Sequence, residues 1–144
     1  MGKLIVTEFM TLDGVAQAPG GPDEDRESSF EHGGWQWPVS DPESGEVMYQ
    51  EASSMKALLL GRKTYDIFAE YWPQAPAEMP FTALLNSVPK YVASRTLAEP
   101  LSWSGSTLLS GDFGESITAL KQRYDEVQVI GSLDMVQSLL RLGL

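Results

Sequence analysis

The sequence predicts an α/β protein of three layers, a mostly parallel central sheet flanked by helices, and two patterns along its 144 residues predict it. Strand-like and helix-like segments alternate through the second two-thirds of the chain, which is the signature of βαβ crossovers. The apolar runs Ala57–Leu60 and Val127–Ile130 barely alternate in polarity, as expected of parallel strands covered on both faces. A chain of this length forms one domain with a sizeable core and needs no covalent staples.

Lys3–Phe9 is rich in β-formers and reads as the first strand, followed by Thr11-Leu12-Asp13-Gly14. From Ala16 to Gly45 the chain is rich in glycine, proline and acids without a sustained period, and long loops of that kind in compact domains tend to be lids or binding loops. Helical spacing of Val47, Met48, Ala52 and Met55 predicts a helix over Glu46–Lys56, running into the Ala57–Leu60 strand. Short helices follow over Lys63–Ala69 and around Phe81, Leu84 and Leu85, the latter closed by Asn86-Ser87-Val88-Pro89. Lys90–Ala93 is a strand by composition and Ser106–Leu109 a weaker one, with a turn at Ser110-Gly111-Asp112. Ser116–Tyr124 reads as helix, Val127–Ile130 as strand and Asp134–Leu142 as the last helix.

Composition removes several function classes. Without cysteine there are no disulfides, thiolate metal sites or cysteine nucleophiles, and a single histidine excludes zinc deaminase and Cys-His hydrolase chemistry. A net charge of −10 argues against nucleic acid as a partner. No apolar run approaches a membrane span and no signal peptide is evident, so a cytoplasmic protein without a membrane partner is expected. The acids gather at Asp23-Glu24-Asp25, Glu27 and Glu31, a solvated loop. Four of the ten basic residues, Arg62, Lys63, Lys90 and Arg95, fall at or beside strand ends, where local positive charge could receive an anion.

Three strand ends carry similar chemistry. Gly61-Arg62-Lys63-Thr64-Tyr65 passes from strand into helix, with free N–H groups at the helix start that favour an anion and a guanidinium suited to gripping phosphate. Ser94-Arg95-Thr96 places two hydroxyls around a second guanidinium, and Gly131-Ser132 puts small residues before the last helix. Ligands of open α/β sheets bind beyond the carboxyl ends of the strands, so the three loops can line one crevice. Neither a Walker A loop nor a G-x-G-x-x-G fingerprint is present.

The order and spacing of Gly61-Arg62-Lys63-Thr64-Tyr65, Val88-Pro89-Lys90-Tyr91-Val92-Ala93-Ser94-Arg95-Thr96 and Val129-Ile130-Gly131-Ser132 resemble the dihydrofolate-reductase-like superfamily. Together with Met10-Thr11-Leu12-Asp13-Gly14, they are most similar to stand-alone relatives of the RibD C-terminal (riboflavin-biosynthesis reductase) domain, over essentially the whole chain. The resemblance implies an NADPH-dependent reductase that transfers a hydride to a pterin-like, pyrimidine-like or related planar heterocycle. It implies that Gly61, Arg62, Lys63 and Thr64 contact cofactor phosphates, that Ser94 and Arg95 hold the adenosine 2′-phosphate, and that Gly131 and Ser132 lie along the pyrophosphate.

For the proton, Asp41, Glu43 and Glu46 stand near the start of the helix before the Gly61 strand, where acids are also ordinary helix-dipole partners; Asp13 is a further candidate, with a turn role as its alternative. Trp35, Trp37 and Tyr65 could stack on a planar substrate or anchor their own segments. Relatives continue past Leu144 with strands that complete the sheet, so residues 1–144 are expected to be a C-terminally incomplete domain, or one whose edge is covered by a partner in a homodimer. A non-catalytic nucleotide-binding or sensor protein on the same fold, and a structural domain that assembles through its open edge, are the alternatives to the enzyme.

Overall fold

The computed structural model describes residues 1–144, in two compact units: Met1–Thr7 with Ala52–Leu144, and Glu8–Glu51. The sequence reads as one domain; the division reflects a long segment after the first strand that packs largely on itself.

The larger unit is built on five strands, β1 (Lys3–Thr7), β2 (Ala57–Gly61), β3 (Lys90–Ala93), β4 (Ser106–Leu108) and β5 (Glu126–Ile130). The helices, in chain order, are α1 (Pro42–Ala52), α2 (Arg62–Tyr71), α3 (Pro80–Ser87), α4 (Phe113–Arg123) and α5 (Leu133–Leu142). The strands lie in the order β1-β5-β2-β3-β4 and every neighbouring pair is parallel.

Side-chain alternation sorts the sheet into two cores. Ala57, Leu59, Tyr91, Val127 and Val129 face α4 and α5, meeting Ile117, Leu120, Met135, Val136 and Leu139. Leu58, Leu60 and Val92 face the other way, toward Tyr65 of α2 and Leu85 of α3. Both faces of β2 are therefore buried, which is why its Ala-Leu-Leu-Leu run shows no polarity period. The three-layer α/β architecture is the one expected.

Most helix boundaries shift by a few residues, for local reasons. Helix α4 begins at Phe113 rather than Ser116 because Asp112 caps it, its carboxylate accepting the Glu115 N–H at 2.9 Å. Helix α1 runs Pro42–Ala52 rather than Glu46–Lys56: Asp41 accepts the Ser44 N–H at 2.8 Å, and proline at the first helical position is pre-set for a helix start. Helix α5 ends in a Schellman closure, with Gly143 at φ 68° and the Leu144 N–H donating to the Leu139 carbonyl at 3.1 Å.

The β3–β4 connection, residues 94–105, crosses back over the sheet without a helix. It is held instead by side chains: Leu97, Leu101 and Trp103 enter the core beneath α2 and α3, and Glu99 accepts the Leu108 N–H at 3.0 Å.

Two buried titratable groups give this unit an alkaline signature. Burial pulls Lys90 down to about 8, while burial and the Tyr124 hydroxyl, 2.8 Å away, push Tyr91 up to about 12. Lys90 is depressed from 10.5, so between about 8 and 10.5 the unfolded chain holds more protons and stability rises with pH. Tyr91 is raised from 10.0, so between about 10 and 12 the folded chain holds more and stability is lost as pH rises. Melting temperature is expected to climb above pH 8 and fall beyond pH 10, with Tyr91→Phe flattening the descending limb. A descending limb identical in wild type and Tyr91→Phe would contradict this assignment.

In the smaller unit, Thr11 closes a tight turn, its hydroxyl donating to Asp13 at 2.7 Å and accepting the Val15 N–H at 2.8 Å. The following loop contains only short 3-10 turns at Glu27–Ser29 and Trp37–Val39 before α1.

Candidate functional site

The chain leaves β2 for one face of the sheet and β5 for the other, since α2 packs in the core with Leu58 and α5 in the core with Leu59. Neighbouring parallel strands whose connections diverge in this way open a crevice at their carboxyl ends, the usual ligand position in such sheets. Gly61 pairs with Ala93 in register, which brings the end of β3 alongside. The tertiary structure therefore gathers Gly61–Thr64, Ser94–Thr96 and Gly131–Ser132 at three adjacent strand ends, β2, β3 and β5.

The β2 and β5 turns interlock. The Gly61 N–H donates to the Ser132 hydroxyl at 2.9 Å, and the Ser132 N–H donates to the Thr64 hydroxyl at 3.0 Å. Gly131 and Ser132 both have left-handed backbone, at φ 61° and 66°, and a side chain on Gly131 would press on the Thr64 hydroxyl at 3.3 Å. Thr64 accepts from the backbone here, which leaves its own O–H able to donate to a further acceptor. Neither α2 nor α5 has a side-chain cap at its N-terminus, so the first-turn N–H groups of both helices stay available to an anion. Replacing Ser132 with alanine strands the half-buried Gly61 N–H and is expected to cost about 1–3 kcal/mol of stability. Urea melts check it; an unchanged midpoint would mean that the interlock contributes nothing.

The two arginines differ. Arg62 reaches across to the β3 loop, its Nη1 donating to the Thr96 hydroxyl at 2.6 Å, while Nε lies 3.4 Å from Asp66 one helical turn on. Both partners of that ion pair are half-exposed, so Asp66 contributes little energy and mainly orients the guanidinium. Arg95 is exposed and forms no ion pair. The Ser94 hydroxyl shapes the loop by accepting the Thr96 and Leu97 N–H groups at 3.1 and 3.0 Å. Lys63 is exposed on the first turn of α2.

Two residues read from the sequence as part of this surface lie elsewhere. Tyr65 is 2 % exposed; its hydroxyl accepts the Trp103 N–H at 3.0 Å, so its ring is a core element under the β3–β4 crossover rather than a substrate contact. Lys90 is fully buried at the start of β3, the opposite end of the strand from the crevice, so it adds nothing to the positive charge there. The sequence pattern could not separate it from an exposed lysine, because the residues around it are apolar on both sides of the strand.

In the smaller unit three of the four candidate acids have a local partner, and the fourth, Glu43, is exposed on the first turn of α1. Asp41 caps α1, and Glu46 is exposed and accepts from the Gln50 amide at 2.9 Å. The Thr11 hydroxyl holds the exposed Asp13 carboxyl below its usual range, which favours the ionised form. Trp35 and Trp37 both spend their indole N–H groups on their own loop, donating to the Gln17 and Gly20 carbonyls, while the Trp37 ring stays 64 % exposed. Sequence reading passed over Glu8, which burial pushes toward its protonated form and whose Oε1 is buried without a hydrogen-bond partner. The signal available for it was an acid inside the β-rich run Lys3–Phe9, of which the strand itself takes only Lys3–Thr7.

A surface concavity along α4 and the end of α5 includes Asp112 and Glu115 and no cation, the wrong sign for a phosphate. No helix is long and apolar enough to cross a membrane, and no cluster of side chains could hold a metal ion.

The family model of the RibD C-terminal domain matches residues 2–144. The chain belongs to the RibD C-terminal domain family. That family is generally of reductase type, which makes an oxidoreductase the coarse class of this RibD C-terminal domain. A solved structure of a protein provisionally assigned to riboflavin biosynthesis, from Shewanella sp. PV-4, aligns with a TM-score of 0.63 and 22 % identity. The alignment covers 95 % of this chain and 68 % of that one, and it supports the fold. No curated protein matches the chain.

Proposed function

We propose that this RibD C-terminal domain binds NADPH across the ends of β5, β2 and β3 and works as a reductase on a planar nitrogen heterocycle of the pterin or pyrimidine kind. The observation that carries the reading is that two arginine-bearing loops and two helix N-termini without side-chain caps meet at adjacent strand ends, Arg62 bridging from α2 to Thr96 on the loop that carries Arg95, on a chain whose net charge is −10. Positive potential concentrated against so acidic a background suits a multiply charged anion.

The residues fit that group. Arg62, the Thr64 hydroxyl and the first turns of α2 and α5 would hold phosphate oxygens, and Arg95 with Ser94 would hold the 2′-phosphate. The bound dinucleotide supplies hydride-transfer chemistry. The protein's own part is orientation: the Ser132–Gly61–Thr64 interlock keeps two strand ends in fixed register, and Thr96 with Asp66 sets the Arg62 plane.

Calorimetric titration with NADPH and separately with NADH tests binding, and oxidation of NADPH in the presence of dihydropterins or pyrimidine intermediates tests turnover. NADPH preference with turnover supports the reductase. Binding without turnover across such a panel would favour a nucleotide sensor on the same site, and a folded protein that binds neither nucleotide would overturn the reading.

A further inference from the structure

Lys90 is fully buried, and no carboxylate pairs with it. Lysine is almost never fully buried without a partner, so its surroundings must account for it. Its Nζ donates to the Asn86 carbonyl at the end of α3 at 3.0 Å and to the Ser104 carbonyl just before β4 at 3.1 Å. The third side of the amino group lies 4.5 Å from the centre of the Trp103 ring. Trp103 is tied from two more directions, its indole N–H donating to the Asn86 side chain at 2.7 Å and its backbone N–H to Tyr65 at 3.0 Å.

These contacts converge on one segment. The β3–β4 crossover has no helix to satisfy its own backbone, so Tyr65 of α2 and Lys90 of β3 bond its return end, while Asn86 of α3 holds the Trp103 indole. One end of this crossover carries Ser94, Arg95 and Thr96; the other end is the Trp103-Ser104 pair that Lys90 pins. Between the two ends Leu97 and Leu101 pack against the same core cluster as Trp103, so buried side chains join the outgoing end to the pinned return end.

We propose that Lys90 is a positioning residue for cofactor selectivity, its amino group fixing the helix-free crossover in the conformation that presents Ser94, Arg95 and Thr96 to a 2′-phosphate. The inference rests on the NADPH reading above. It separates two things that a buried lysine could do: hold the fold in general, or hold the one segment that tells a 2′-phosphorylated dinucleotide from an unphosphorylated one.

The test compares the full wild-type chain with Lys90→Met, which keeps an unbranched apolar stem in place of the lysine's and removes the amino group and its donors. Hydrogen exchange at neutral pH is expected to speed up at the Trp103, Ser106 and Leu108 amides, while the amides of β5 and α5 keep wild-type rates. Titration is expected to show the ratio of NADPH to NADH affinity falling roughly tenfold, with NADH binding nearly unchanged, the scale of one lost charge-assisted contact. Trp103→Phe, which loses the indole donor at the same junction, should move both readouts the same way by less, and serves if Lys90→Met does not fold. Unchanged exchange at the three amides, or an affinity ratio equal to wild type in the variants, would overturn the proposal. A wild-type protein that does not discriminate the two dinucleotides overturns the selectivity role together with the NADPH reading, whereas the exchange result still reports independently whether Lys90 pins the crossover.

Discussion

Arg95→Ala is expected to weaken NADPH binding by about 1.5–3 kcal/mol, roughly ten- to 150-fold in dissociation constant, and to leave NADH binding much less affected. The guanidinium is exposed, makes no ion pair and stands on a loop that Ser94 braces from within, so nothing in the protein has to be broken to engage a phosphate. For the same reason the substitution should leave stability within about 0.5 kcal/mol of wild type. Arg62 is the internal comparison. It is already hydrogen-bonded to Thr96 and oriented by Asp66, and it lies on the strand end shared with the uncapped α2 N-terminus. Arg62→Ala should therefore weaken both dinucleotides by similar factors. Parallel calorimetric titrations of the two variants read both effects, and equal losses for NADPH and NADH in Arg95→Ala would remove that residue from the 2′-phosphate.

The largest effect on stability is expected from Leu59→Ala, about 2–5 kcal/mol, a substantial part of the 5–15 kcal/mol that typically separates folded from unfolded chains. Leu59 is fully buried at the centre of the sheet, opposite Tyr91 on β3 and Val129 on β5, within the core that α4 and α5 cover. Neither neighbouring strand can close over the cavity without breaking its own ladder. At roughly 2–4 °C per kcal/mol for a chain of this size, the melting temperature should fall by about 5–20 °C. Leu140→Ala is the control: that side chain on α5 is 67 % exposed, and its loss should be nearly silent. A fall of similar size in both variants would mean that the two-core arrangement is wrong.

Much of this was legible in the sequence because the signals are local. The apolar run of β2, the strands at Lys90–Ala93 and Val127–Ile130, and the glycine, serine and arginine chemistry after them all follow from short runs of β-forming, apolar residues without alternation and from turn preferences at their ends. Helix starts were misplaced where a cap decided them, as Asp112 and Asp41 did, since a capping aspartate and a loop aspartate look alike until the backbone turns. The resemblance to the RibD C-terminal domain rested on the order of the three strand-end motifs, and order along the chain needs no coordinates.

Distance between segments belongs to the tertiary structure alone. It joined Ser132 to Gly61 and Thr64, 71 and 68 residues away in the chain, and Arg62 to Thr96, 34 residues away. It also decided which polar groups meet water. Tyr65 and Lys90 sit within motifs that read as a binding surface, yet both point into the core, because a strand or helix start offers alternate faces and only packing selects between them. The sequence by itself determined the layer architecture and the chemistry available at the strand ends; packing decided which of those groups face the crevice and which ones hold it in shape, because burial is settled by contacts between segments that the order of residues leaves unspecified.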